Sequence, residues 1–207
     1  MLDLRCGFEI ETMPFKFYMK TTKSKIKNIA FLIVIGLLLI PQTRQPIQIF
    51  LNKGLALFGP STIEVSKQII LSDYDWDLKD ASGNLFHFKE TKGKVVFVNF
   101  WATWCPPCIA EMPSINDLYN IYKDKVVFVF ISNEEQDVIN QFLNKNEYRF
   151  KVYNPVTLYP EAFDVSSIPR TFLVDKKGSI IIDKTGAANW NSETVRLTID
   201  SILADEN

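Results

Sequence analysis

The sequence predicts a mixed α/β fold, with parallel and antiparallel strands in one central sheet, helices on both faces and an apolar helix ahead of it. Three observations carry this. Two mostly apolar runs, 95–101 with Asn99 as its one polar residue and the unbroken 126–131, enclose a stretch with helical spacing, the pattern of buried parallel strands joined by a crossover. Two later apolar runs flank Asp175-Lys-Lys-Gly178, a hairpin signal. A lysine-rich stretch precedes the apolar run 29–40, the layout of a targeting leader.

Taken in order, the leader comes first. Lys16, Lys20, Lys23, Lys25 and Lys27 lie ahead of 29–40, and Pro41 ends the run. Twelve residues span about 18 Å as a helix, short of the roughly 30 Å hydrocarbon core. Pro-Gln-Thr-Arg-Gln-Pro follows, however, with no small-x-small cleavage pair, so retention as a signal anchor is expected. A start at Ile26 with Lys25 and Lys27 snorkelling lengthens the span. The lysines place the N-terminus in the cytoplasm and the body outside. The expected organisation is a basic leader over 1–28, an anchor over 29–40, a juxtamembrane linker over 41–60 and a folded domain over 61–207. Met19-Lys-Thr-Thr-Lys opens a conventional leader, making Met19 a candidate start, in which case Cys6 is never made.

The body alternates. Strand 85–88 follows the turn Ser82-Gly-Asn84, and strand 95–101 follows Gly93. Ile109, Met112, Ile115, Leu118 and Tyr119 give 105–122 a helical apolar face. After strand 126–131 comes a helix over 134–146, with Val138, Ile139, Phe142 and Leu143 inward, then a short strand over 150–153. The hairpin 171–174 and 179–182 and a last helix over 192–203 complete the domain.

Charge and cysteine usage restrict the function. Residues 1–59 carry net +5 and residues 60–207 net −6, so the body lacks the basic footprint that nucleic acid requires. Three cysteines, two of them in Cys105-Pro-Pro-Cys108, make no secreted disulfide framework, and a bridge closing so small a loop constrains the unfolded chain little. A reactive pair is the better reading. A cysteine opening a helix meets unpaired N–H groups and the positive end of the helix dipole, which favour the nucleophilic thiolate. Cys105 is so placed, and Cys108 is near enough to attack a mixed disulfide and release the partner.

Asn99-Phe-Trp-Ala-Thr-Trp-Cys-Pro-Pro-Cys108, directly after a buried strand and followed by Pro113, resembles the active-site segment of the thioredoxin superfamily, specifically its TlpA-like membrane-anchored thiol-disulfide oxidoreductases. The resemblance covers roughly 65–203 and implies a thioredoxin-like fold. It also implies an extracytoplasmic enzyme that reduces disulfide-bearing proteins from the periplasmic side of a cell inner membrane, for example in cytochrome c maturation, supplied by an upstream membrane thiol reductase, with no cofactor and no metal. In the family, the proline matching Pro113 kinks the active-site helix. Ser167-Ile-Pro-Arg-Thr-Phe172 resembles the family's cis-proline loop, which makes Pro169 the candidate cis residue and Ile168 the backbone presented to substrate. Glu111 resembles the acidic residue beside the thiols, able to take the proton of Cys108; the alternative is an exposed acid favoured by the dipole. Of the flanking aromatics, Trp101 suits the core and Trp104 the docking surface, with Pro106 beside it.

Cytosolic thioredoxins carry a buried aspartate where this chain has Asn99, and an amide cannot accept a proton in its place. Pro106 and Pro107 have no N–H to offer the Cys105 thiolate, which implies a reducing rather than an oxidising pair. The competing classes are a copper-delivery module and a thiol peroxidase. Copper carriers of this fold space the cysteines by three and add a late histidine, whereas His87, the sole histidine, precedes the pair and alternates with Phe86 and Phe88 as an exposed strand residue would. The peroxidase pattern Thr-x-x-Cys fails at Thr103.

Overall fold

Every residue of the central strand β3 (Val96–Phe100) is buried, which explains why all of them but Asn99 are apolar: a strand covered on both faces has no solvent side. It belongs to a computed structural model that describes residues 23–205, so Met19 and Cys6 lie outside the described residues. The described residues fall into two units, divided between Ile40 and Pro41.

In the first unit, α1 (Lys23–Leu39) takes up most of the apolar run. At 17 residues it is about 25 Å long. Phe31 and Leu32 are each 65% exposed, so the helix has no buried stripe of the kind a domain helix carries. Among the described residues no helix is long and apolar enough to cross a membrane.

The second unit opens with α2 (Pro41–Leu55) where the sequence suggests only a linker. Pro41 stands at its first position, where a missing N–H breaks no helical bond. The sheet has seven strands in the order β2-β1-β5-β4-β3-β6-β7. Its members beyond β3 are β1 (Asp77–Lys79), β2 (Leu85–His87), β4 (Val127–Ile131), β5 (Val152–Pro155), β6 (Arg170–Val174) and β7 (Ile180–Thr185). β3, β4 and β5 run parallel, while β6 and β7 on one side and β1 and β2 on the other are antiparallel. The parallel strands are joined by α3 (Pro106–Tyr122) and α4 (Gln136–Lys145), and α5 (Glu193–Ala204) follows β7.

Period-two alternation divides the core. Val95, Phe97 and Phe130 join residues of α3, α4 and α5 in one layer. Val96, Val98, Phe100, Val129 and Ile131 face the other layer, with Trp76, Phe88 and Phe163. The expectation of helices on both faces is thus corrected. Both crossovers step in one direction, β3 to β4 to β5, and the right-handed rule then puts α3 and α4 on the same face. The opposite face is closed by aromatic side chains from loops and the short turn Phe88–Thr91.

The hairpin forms as its turn residues require. Asp175 Oδ1 accepts from Lys177 N and Ser179 N at 2.9 and 2.7 Å, and Gly178 adopts φ +87°, a conformation that favours glycine.

Candidate active site

The segment after β3 is held before it turns into α3. Thr103 N and Thr103 Oγ1 donate to the two carboxylate oxygens of Glu134, each at 2.6 Å, and Ser132 Oγ donates to Glu134 Oε2 at 3.2 Å. Cys105 N donates to Ala102 O at 3.2 Å. Cys105 then caps α3 in an extended conformation, with Pro106 and Pro107 as its first helical residues. Because neither proline has an N–H, the first motif donor to reach the cap is Cys108 N, 3.3 Å from Cys105 Sγ.

The two cysteines are joined in a disulfide, with Cα atoms 5.2 Å apart. Cys105 is 3% exposed and Cys108 fully covered. Both sulfurs are therefore mostly shielded in this oxidised state, within the core layer that contains Trp101, Ala102 and Met112.

One turn beyond Cys108, Glu111 is fully buried, which excludes the exposed-acid alternative. Its Oε2 accepts from Trp190 Nε1 at 2.9 Å and Ala188 N at 3.3 Å. Its Oε1 accepts from Asn99 Nδ2 at 3.1 Å, and the same nitrogen donates to Thr171 Oγ1 at 2.8 Å. Burial pushes the Glu111 carboxyl up to about 8, against the opposing pull of these donors and of Lys184. Desolvation wins because the three donors are neutral and only Lys184, acting through its charge, opposes it with a full charge. The carboxyl consequently exchanges its proton in the range where an ordinary thiol does, near 8.5.

The Ile168–Pro169 peptide bond is cis. Pro169 is buried and its carbonyl accepts from Gly186 N at 2.9 Å, while Ile168 stays half-buried at the junction of the two core layers. Ile168 and Trp104 line one groove of about 460 Å³, together with Phe100, Tyr159 and Val165. Trp104 is 64% exposed at its rim, and Trp101 is buried. Pro106 is half-buried at the head of α3. The fold thus gathers two groups: the cysteine pair with Glu111 a turn below it, and Trp104 with Ile168 along the groove.

Sequence reasoning missed Glu134, Trp190 and Thr171. Trp190 carried a signal, a lone tryptophan before the last helix; Glu134 and Thr171 carried none, since their value lies in contacts across strands. His87 is half-buried, not exposed: it faces Asp77 across the β1–β2 pair, Nδ1 to Oδ1 at 2.6 Å. Among the described residues no group of three or more His, Cys, Asp or Glu is placed to hold a metal.

Comparison with known proteins points the same way as this geometry. Residues 62–198 match the Redoxin family model. Thiol-disulfide oxidoreductase ResA of Geobacillus kaustophilus is 36% identical over 133 residues, 62% of this chain and 74% of the relative. ResA of Bacillus cereus is 36% identical over 105 residues, 49% of this chain and 61% of the relative. Among solved structures, the thioredoxin domain of a Bacteroides vulgatus thiol-disulfide oxidoreductase is 20% identical with a TM-score of 0.52, over 65% of this chain and 98% of that one, a likeness of fold.

Proposed function

Because the chain belongs to the Redoxin family, as a TlpA-like thiol-disulfide oxidoreductase of thioredoxin-like fold, we propose that it reduces disulfides of partner proteins through Cys105 and Cys108. The observation that carries this reading is the cysteine disulfide at the head of α3 with the buried Glu111 carboxyl one turn below it.

In the reduced enzyme, the Cys105 thiolate caps α3, where Cys108 N and the helix dipole favour it. It attacks one sulfur of a partner disulfide; that S–S bond breaks, a Cys105–partner bond forms, and the partner's other sulfur leaves as a thiolate. Cys108 then loses its proton to Glu111, attacks Cys105 Sγ and expels the second partner sulfur. The partner has gained two electrons and the enzyme is left with the Cys105–Cys108 disulfide. A membrane thiol reductase acting on that disulfide closes the cycle. Trp104 and Ile168 flank the groove along which an extended partner segment lies.

The pair works as a reductant, since Pro106 and Pro107 withhold two N–H donors from the thiolate. The enzyme operates outside the cytoplasm in cytochrome c maturation or envelope thiol balance, tethered to the inner membrane by residues 29–40. The lysines before that run and the exposure of Phe31 and Leu32 support the tether.

The test is trapping in the full-length protein. Cys108→Ala stalls the cycle, so envelope proteins accumulate as mixed disulfides on Cys105, and Cys105→Ser brings insulin reduction down to background. Insulin reduction by Cys105→Ser at the wild-type rate would rule the reading out. Recovery of the protein in alkaline-washed membranes tests the tether, and release into the wash excludes it.

A further inference from the structure

A fully buried amide in the central strand is half used. Asn99 Nδ2 donates to both Glu111 Oε1 and Thr171 Oγ1, while Asn99 Oδ1, equally buried, has no hydrogen-bond partner. A buried carbonyl without a donor costs about 1–3 kcal/mol, and such an atom in the sheet centre calls for a reason.

The reason lies in the carboxyl it faces. Every neutral group bonded to Glu111 donates: Trp190 Nε1 and Ala188 N to Oε2, and Asn99 Nδ2 to Oε1. Among the described residues, Lys184 on β7 is the charged side chain acting on it, and Thr171 on β6 reaches Asn99, not Glu111. That arrangement serves an ionised carboxylate. A protonated Glu111 has an O–H that must donate, and its bonded neighbours on β3 and in the loop 186–192 offer it no acceptor. The two ends of a side-chain amide are nearly isosteric and opposite in hydrogen-bond sense. Turning Asn99 over places Oδ1 where Nδ2 stood, to accept from Glu111 O–H and from the Thr171 hydroxyl, which can donate as readily as it accepts.

We infer that Asn99 is the positioning residue of the proton acceptor: its amide donates to ionised Glu111, turns over to accept from protonated Glu111, and so lets one buried carboxyl hold either state. An ionised aspartate at this position could only accept. The inference rests on the proposed role of Glu111 as the acceptor for Cys108. The proton leaves Cys108 Sγ, arrives on Glu111 Oε1 and is then shared with Asn99 Oδ1; no other bond changes.

The experiment is a pH titration of the full-length oxidised protein by nuclear magnetic resonance, following the Glu111 side-chain carbon and the Asn99 amide protons together. The nuclear Overhauser contact between the Asn99 amide protons and Thr171 is expected above the Glu111 midpoint and is lost below it, and in Glu111→Gln its intensity no longer changes with pH. A contact that persists unchanged while Glu111 titrates overturns the inference. As a second arm, Asn99→Asp moves the Glu111 midpoint upward and shifts the pH profile of mixed-disulfide resolution with it. If Asn99→Asp leaves both where they are, Asn99 is structural only. Full insulin reduction by Glu111→Gln would instead sink the role of Glu111 and leave the amide behaviour standing.

Discussion

Trp190 Nε1 donates to Glu111 Oε2 across 2.9 Å, so the loop after the hairpin is fastened to the first turns of the helix that carries the cysteines. Ser114 strengthens the tie, with its hydroxyl donating to Glu111 O at 2.8 Å and accepting from Trp190 N at 3.1 Å. The carboxyl is therefore held from the side opposite Asn99.

Removing the acid should slow the resolving step. Glu111→Gln keeps the volume but cannot take a proton, and loss of a general base costs on the order of a hundredfold or more. Single-turnover release of a trapped partner, followed from pH 6 to 9, is expected to lose its dependence around pH 8.

The same group links stability to pH. Its folded value is raised from 4.5 to about 8, so the folded chain holds the proton more tightly than the unfolded one. The contribution is complete below about 4.5 and fades as pH rises through about 8, by at most about 1.4 kcal/mol per pH unit. Urea unfolding of the oxidised protein at pH 5, 7 and 9 is expected to show this decline, and Glu111→Gln to flatten it.

Trp190→Phe removes one donor from the carboxylate and leaves most of the ring. Glu111 should titrate still higher, and stability should fall by about 1–3 kcal/mol, the range for a lost bond to a charged or buried group. Carbon-detected titration and denaturant midpoints read the two effects separately.

Gly178→Ala tests the hairpin turn. A Cβ there would stand 2.8 Å from Tyr74 Oη and 3.1 Å from Leu71 O, at φ +87°. A loss of about 1–3 kcal/mol is expected from the strained conformation alone, with insulin reduction unchanged below the melting transition.

The parallel heart of the sheet was legible because β3 is buried throughout and β4 over its last three residues, so both spell runs that are apolar but for Asn99. β1 was not: it has three residues, and only Leu78 is fully covered, too short for an alternation to register. It is a strand because β2 and β5 pair with it on either side. The cysteine pair and the proline ahead of β6 could be read from short motifs, since one helix turn or one peptide bond sets their geometry. The surroundings of Glu111 could not. Asn99, Thr171 and the loop that carries Ala188 and Trp190 come from three places along the chain, and only the finished sheet brings Asn99 and that loop to one carboxyl, with Thr171 bonded to Asn99.

The Thr103–Glu134 pairing ties the approach to Cys105 to the segment that follows β4. Two charge-assisted hydrogen bonds to one side chain fix the orientation of Thr103 better than either alone. The position of Cys105 thus depends on a carboxylate that follows β4, thirty-one residues away from Thr103 along the chain.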